Sequence, residues 1–188
     1  MRSKQLQTIV EGAIIAALAM ALSYVPHSLG ISSIEILYGT VPIFIYAWRR
    51  GGKAAISAGI VWGLLDLFLR GFSSGSVFNA WQGILEYPVA FGLLGIAGLW
   101  SAAIKKRVQQ HKNIYGLLLV SGITALLAKY LIHFFAGVLV WGSFAPKSMN
   151  PWVYSLIING GSALATLLFV IIVVGLLQKT IARFINVY

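Results

Sequence analysis

Lys129, His133, Gly137 and Trp141 recur every fourth position in the apolar run Lys129-Tyr-Leu-Ile-His133-Phe-Phe-Ala-Gly137-Val-Leu-Val-Trp141. At about 100° per residue each step of four drifts by only about 40°, so on a helix they form one slowly winding stripe. An ammonium, an imidazole, a gap and an indole on one face can hold charge, hydrogen-bond and stack. Ionisable groups in so apolar a segment are costly in lipid and face a bundle interior or a cavity. The stripe therefore reads as one wall of a pocket. Glu86 and Tyr87 lie in a second apolar segment, and Tyr154 and Asn159 in a third. One carboxylate among aromatic walls, a phenol and an amide suits a small, flat, cationic or nitrogen-rich ligand. The carboxylate supplies charge, and indole faces supply a cation–π attraction of roughly 2 kcal/mol when desolvated. The plainer alternative is that Glu86 and Lys129 neutralise each other as a buried ion pair.

The elements that must position these groups follow from composition. Of the 188 residues 59% are hydrophobic and 10% charged, and the mean hydropathy is +0.88. Ordinary domains carry about 25% charged residues, so the chain reads as an all-α integral membrane protein. Apolar segments at 8–25, 36–48, 54–69, 77–104, 114–142 and 152–177 predict six transmembrane helices in a single domain, residues 1–188. The first resembles a signal peptide, but about 18 apolar residues suffice to span and the segment carries a packing motif, so it is read as a retained helix. The second is short and interrupted by Gly39 and Pro42; proline there is expected to leave the Tyr38 carbonyl without its helical partner. Without cysteine, disulfides and cysteine-metal sites are excluded.

Basic residues set the orientation. Of fourteen lysines and arginines, six spans put eleven on one side: Arg2, Lys4, Arg49, Arg50, Lys53, Lys105, Lys106, Arg107, Lys112, Lys179 and Arg183. Arg70 and Lys147 fall on the other, and Lys129 within the bilayer. That bias predicts cytoplasmic N- and C-termini. It also accounts for the net charge of +10 without invoking nucleic acid. With this orientation Glu86 lies about 13 Å below the outer end of its helix and His133 at nearly the same depth, with Trp141 and Tyr154 at the rim. Tyr154 and Asn159 are five apart, about 140° around a helix, so both face one cavity only if it is wide.

Other features carry structural readings. Asp66 and Arg70, four apart, predict a local ion pair. Glu11 reads as an interfacial carboxylate, Trp62 and Trp81 as packing residues, and Gly160-Gly161-Ser162 as close helix packing. Ala13, Ala17 and Ala21 repeat every fourth residue beside Gly12, Ala16 and Ala19, which lets another helix approach closely, within the bundle or from a partner. No phosphate loop, zinc helix or nucleophile elbow is present, so an enzyme is not expected. Nor is an internal repeat evident, which disfavours an inverted-repeat carrier.

Together, several stretches resemble one family over essentially the whole chain: Glu11-Gly-Ala-Ile-Ile-Ala-Ala-Leu-Ala-Met-Ala-Leu-Ser23, Pro42 to Gly51, Gly59-Ile-Val-Trp-Gly-Leu-Leu65, Gln82-Gly-Ile-Leu-Glu-Tyr87, and the Lys129–Trp141 stripe with Tyr154 and Asn159. The family is the thiamine-specific substrate-binding component of energy-coupling factor transporters. The resemblance implies a bacterial plasma-membrane protein with an outward-facing, high-affinity thiamine pocket and no cofactor of its own. Its partners would be one membrane coupling subunit and two ATP-binding subunits. Glu86 would pair with the ligand's positive charge or its aminopyrimidine, and Tyr154 and Asn159 would hydrogen-bond the pyrimidine. His133 and Trp141 would stack, Tyr87 and Lys129 complete the polar wall, and Gly137 make room. The alanine stripe would dock on the membrane subunit, and residues 27–35 would act as a lid. The alternatives are the same architecture for another vitamin, or a stand-alone proton-coupled carrier relaying through Glu86, His133 and Lys129.

Overall fold

The computed structural model describes residues 2–28 and 33–186. Every regular element among them is helical, as lipid demands when backbone groups must be satisfied within their own segment. We number α1 Arg2–Leu22, α2 Thr40–Arg50, α3 Gly52–Gly71, α4 Ala80–Gln109, α5 Tyr115–Leu139 and α6 Pro151–Asn186. All but α2 are long and apolar enough to cross a membrane. With 11 residues, α2 is about 16 Å long, roughly half a hydrocarbon core.

Pro42 does not break α2. The helix begins at Thr40, so Pro42 sits in the first turn, where no amide hydrogen is needed. The Tyr38 carbonyl, expected to be orphaned, accepts from the Val41 N–H at 3.3 Å.

The irregularity lies instead in α3 and α4. In α4, Pro88 cannot donate to the preceding turn, and the helix widens into a π turn, Leu85–Val89, in which the Ala90 N–H reaches the Leu85 carbonyl. A second π turn, Leu67–Gly71, ends α3, with the Phe72 N–H on the Leu67 carbonyl at 2.9 Å. Elsewhere the two helices are zipped through glycine. A methyl on Gly59, Gly95 or Gly98 would overlap the facing backbone, and one on Gly63 would lie 2.6 Å from the Tyr87 carbonyl carbon. Such contacts let helices associate where lipid removes the usual hydrophobic drive.

The core is centred on α2, where Phe44 and Trp48 are fully buried with Trp62, Leu94, Leu118 and Val174. Its polar atoms are satisfied: the Trp48 indole donates to Ser121 Oγ at 2.7 Å, and Ser101 Oγ donates to the Trp48 carbonyl at 2.7 Å. Trp62 is a packing residue as expected, but Trp81 is 76% exposed on the outside of the bundle. In α1, Gly12, Ala16 and Ala19 face inward, Gly12 against the Tyr46 hydroxyl. Ala13, Ala17 and Ala21 face outward. Glu11 is more than an interfacial carboxylate: it binds Arg50 at 2.6 Å and Arg49 at 3.2 Å, tying α1 to the end of α2.

Candidate functional site

Beyond the π turns the helices enclose a cavity of about 370 Å³. Glu86, Tyr87, Lys129, His133, Gly137, Trp141, Tyr154 and Asn159 all line it, contributed by α4, α5, the turn after α5, and α6.

Glu86 is buried, and both its oxygens are held: Oε2 accepts from Gln82 Nε2 at 2.7 Å and Oε1 from Trp141 Nε1 at 2.9 Å. Gln82, 2% exposed, also donates to the Ser76 carbonyl at 2.9 Å and accepts from the Phe78 N–H at 2.8 Å. One amide thus locks the carboxylate to the loop that enters α4. Trp141 leaves the end of α5 in a short 3-10 turn, Trp141–Phe144, so its ring reaches in from the rim to Glu86. Phe78 and Phe144 pack against that ring at 5.0 and 5.7 Å between centroids.

The buried Glu86–Lys129 ion pair is not formed, since Lys129 has no side-chain carboxylate within 4.0 Å. Its ammonium lies 3.9 Å over the Tyr130 ring and 5.6 Å from the Phe91 ring centroid, where the π faces stabilise it. Nε2 of His133 is buried and has no hydrogen-bond partner among the described residues. Gly137 makes room chiefly for protein. A methyl there would collide with Ser155 Oγ and approach Asn159 Nδ2 to 2.8 Å. Ser155 Oγ donates to the Phe134 carbonyl at 2.7 Å and accepts from Asn159 at 3.1 Å, which fixes the amide. Both Tyr154 and Asn159 reach the cavity because it meets two ridges of α6, 154/158 and 155/159.

The mouth holds residues outside the sequence-derived set. Asp66 and Arg70 form the expected pair at 3.0 Å, and both also line the cavity. Arg70 lies 3.5 Å from His27 Nε2, which in turn is 3.3 Å from Glu35. Residues 34–38 run along α6: Ile34 over Gly161, the Glu35 N–H on Ser162 Oγ at 3.1 Å, the Leu37 N–H on Thr166 Oγ1 at 3.0 Å, and Tyr38 edge-on to Phe169. The Gly160-Gly161-Ser162 step therefore packs against this extended segment, not against another helix. Of the expected lid, residues 29–32 lie outside the described residues.

Three of the chain's four carboxylates, Glu35, Asp66 and Glu86, line this cavity with two formal cations, Arg70 and Lys129. Counting histidine neutral, the cavity carries a formal charge of −1 inside a chain of +10.

Residues 9–186 match the family model described as thiamine transporter protein. The thiamine transporter ThiT of Lacticaseibacillus paracasei is 54% identical over 176 residues, covering 93% of this chain and 88% of that one. ThiT of Bacillus subtilis is 32% identical, covering 98% and 97%. A solved structure of ThiT from Listeria monocytogenes superposes with a TM-score of 0.83 at 33% identity, over 97% of this chain and 98% of that one.

Proposed function

The chain belongs to the thiamine transporter protein family, and from that membership we propose that it captures thiamine with high affinity in the cavity described above. It is a multi-pass protein of the bacterial plasma membrane, and its family's role is transport and not catalysis. In this reading it is the substrate-binding subunit of an energy-coupling factor importer. It has no ATP site of its own and works with a membrane coupling subunit and two ATP-binding subunits. Six segments traverse the bilayer, α2 together with the extended residues before it counting as the second, and both termini are cytoplasmic. The cavity then opens outward.

The observation that carries the reading is the concentration of carboxylates: a formal charge of −1 in an otherwise cationic chain complements a monocation such as the thiazolium. Glu86 faces the ligand's charge or its aminopyrimidine. Asn159 and Tyr154 hydrogen-bond the pyrimidine, Trp141 and His133 stack, Tyr87 and Lys129 complete the polar wall, and Gly137 holds the space that lets Ser155 orient Asn159. The test is tryptophan fluorescence of the detergent-purified protein during thiamine titration, with riboflavin as control. Saturable quenching by thiamine alone is expected; no response to thiamine would overturn the assignment.

A further inference from the structure

Far from the thiamine cavity, the junction between α4, α5 and the end of α6 forms a second crevice of about 350 Å³. It is lined by Val108, His111, Lys112, Ile114, Ala182 and Arg183. The crevice is a built feature. The Lys112 N–H donates to the Arg107 carbonyl at 2.9 Å, Arg107 donates to the Asn113 carbonyl at 3.1 Å, and Asn113 Oδ1 accepts the Tyr115 N–H at 2.8 Å. This turn is the left-handed cap that ends α4, with His111 at φ 54° and its N–H on the Val108 carbonyl at 3.0 Å.

Three cations gather at the crevice. Lys112 and Arg183 line it, with Lys179 one turn before Arg183, and all three are exposed. Among the described residues none of the three has a hydrogen bond or ion pair through its side chain. The side-chain carboxylates lie elsewhere: Glu35, Asp66 and Glu86 line the other cavity, and Glu11 is held by Arg49 and Arg50. An anionic group on another molecule would complement these cations. On α6, Arg183, Lys179, Leu176 and Ile172 share one face within about 60°. Leu176 is 79% and Ile172 60% exposed, so an apolar track leads directly away from the cations.

We propose that this crevice binds the phosphodiester headgroup of an anionic phospholipid, whose acyl chains lie along Leu176 and Ile172. Basic pockets between membrane helices at the inner leaflet have the charge to hold such headgroups, and a bound lipid would clamp the ends of α4 and α6 together.

Native mass spectrometry of the full chain in mild detergent, titrated with phosphatidylglycerol or with phosphatidylcholine of the same chains, tests this. Wild type should retain phosphatidylglycerol selectively. Lys112→Gln with Arg183→Gln should weaken that retention by roughly tenfold or more. The charge-keeping pair Lys112→Arg with Arg183→Lys should preserve it, and so should Lys147→Gln in the loop between α5 and α6. Thermal melting checks that each variant folds. Equal retention of the two lipids, or undiminished retention in the folded glutamine variant, would overturn the proposal. Displacement of the lipid by equimolar soluble glycerol phosphate would overturn it in favour of a free-phosphate site. If the glutamine variant keeps its lipid but loses partner subunits, the crevice is a protein interface and the proposal falls.

Discussion

At the scale of single residues, the site depends on a carboxylate whose hydrogen bonds are already arranged. Glu86→Gln removes the charge but keeps the shape, so the loss reports electrostatics and unpaired partners. Removing one side of a buried charge contact costs about 3 kcal/mol, so thiamine affinity should fall by roughly 100-fold with the fold intact. Fluorescence titration checks it, and wild-type affinity would sink the assignment. Gln82→Ala acts on the same carboxylate from behind. It leaves the Glu86 oxygen, the Ser76 carbonyl and the Phe78 N–H without their shared partner. An expected destabilisation of about 2 kcal/mol should appear in thermal melting even without ligand. The ionisable and polar wall residues Glu86, Lys129, His133 and Asn159 are legible in the sequence because polar groups in an apolar chain have few places to go, and Gly137 and Trp141 through their four-residue spacing from them. Gln82 is not in the sequence-derived set, although it stands four residues before Glu86. What hid it was the return loop at residues 76–78, which no periodicity encodes. The absence of a Glu86–Lys129 bond was equally hidden, because matching depth along two helices does not fix distance across them.

At the scale of elements, close packing and local widening divide the labour. Glycine zips α3 to α4, while one π turn ends α3 and the other, inside α4, shifts the phase of the residues that follow it. Span lengths announced the long helices, but π turns leave no periodic signal, and α2 shows that an apolar run can be too short to cross alone. Gly137 is where an element-scale constraint reaches the site. Gly137→Ala inserts a methyl where Ser155 and Asn159 meet, so Asn159 must turn away. Losing one neutral hydrogen bond and its alignment is worth about 1.5 kcal/mol, so affinity should weaken roughly tenfold. Asn159→Ala should do the same, and the double variant should lose little more, because residues sharing one contact are not additive. A fully additive double variant would show that Gly137 acts elsewhere. The segment 34–38 adds a kinetic counterpart. Arg70→Gln breaks its link to Asp66 and to the His27–Glu35 pair at the mouth, so thiamine dissociation should accelerate more than association slows. Stopped-flow fluorescence separates the two rates.

At the scale of the whole molecule, the proposed capture role requires a partner that supplies the energy for delivery. The alanine repeat on α1 left two choices open in the sequence, internal packing or a partner. In the fold Gly12, Ala16 and Ala19 pack inward, while Ala13, Ala17 and Ala21 lie on the exposed face. Periodicity alone could not assign the faces, since small residues occur on both. An outward stripe of methyl groups is what another helix needs for close approach in lipid. Ala17→Leu with Ala21→Leu touches none of the cavity residues, so thiamine affinity of the purified protein should stay within about twofold of wild type, as surface substitutions usually do. Close approach of a partner helix should nevertheless be blocked, so the variant should lose both co-purification with the coupling subunits and thiamine uptake in cells. Retained uptake would assign the stripe to lipid contact and move the docking surface elsewhere. Loss of binding together with uptake would mean that α1 supports the cavity itself. The separation of binding from transport, in one variant, is therefore what distinguishes a capture subunit that borrows its energy from a carrier that moves its ligand alone.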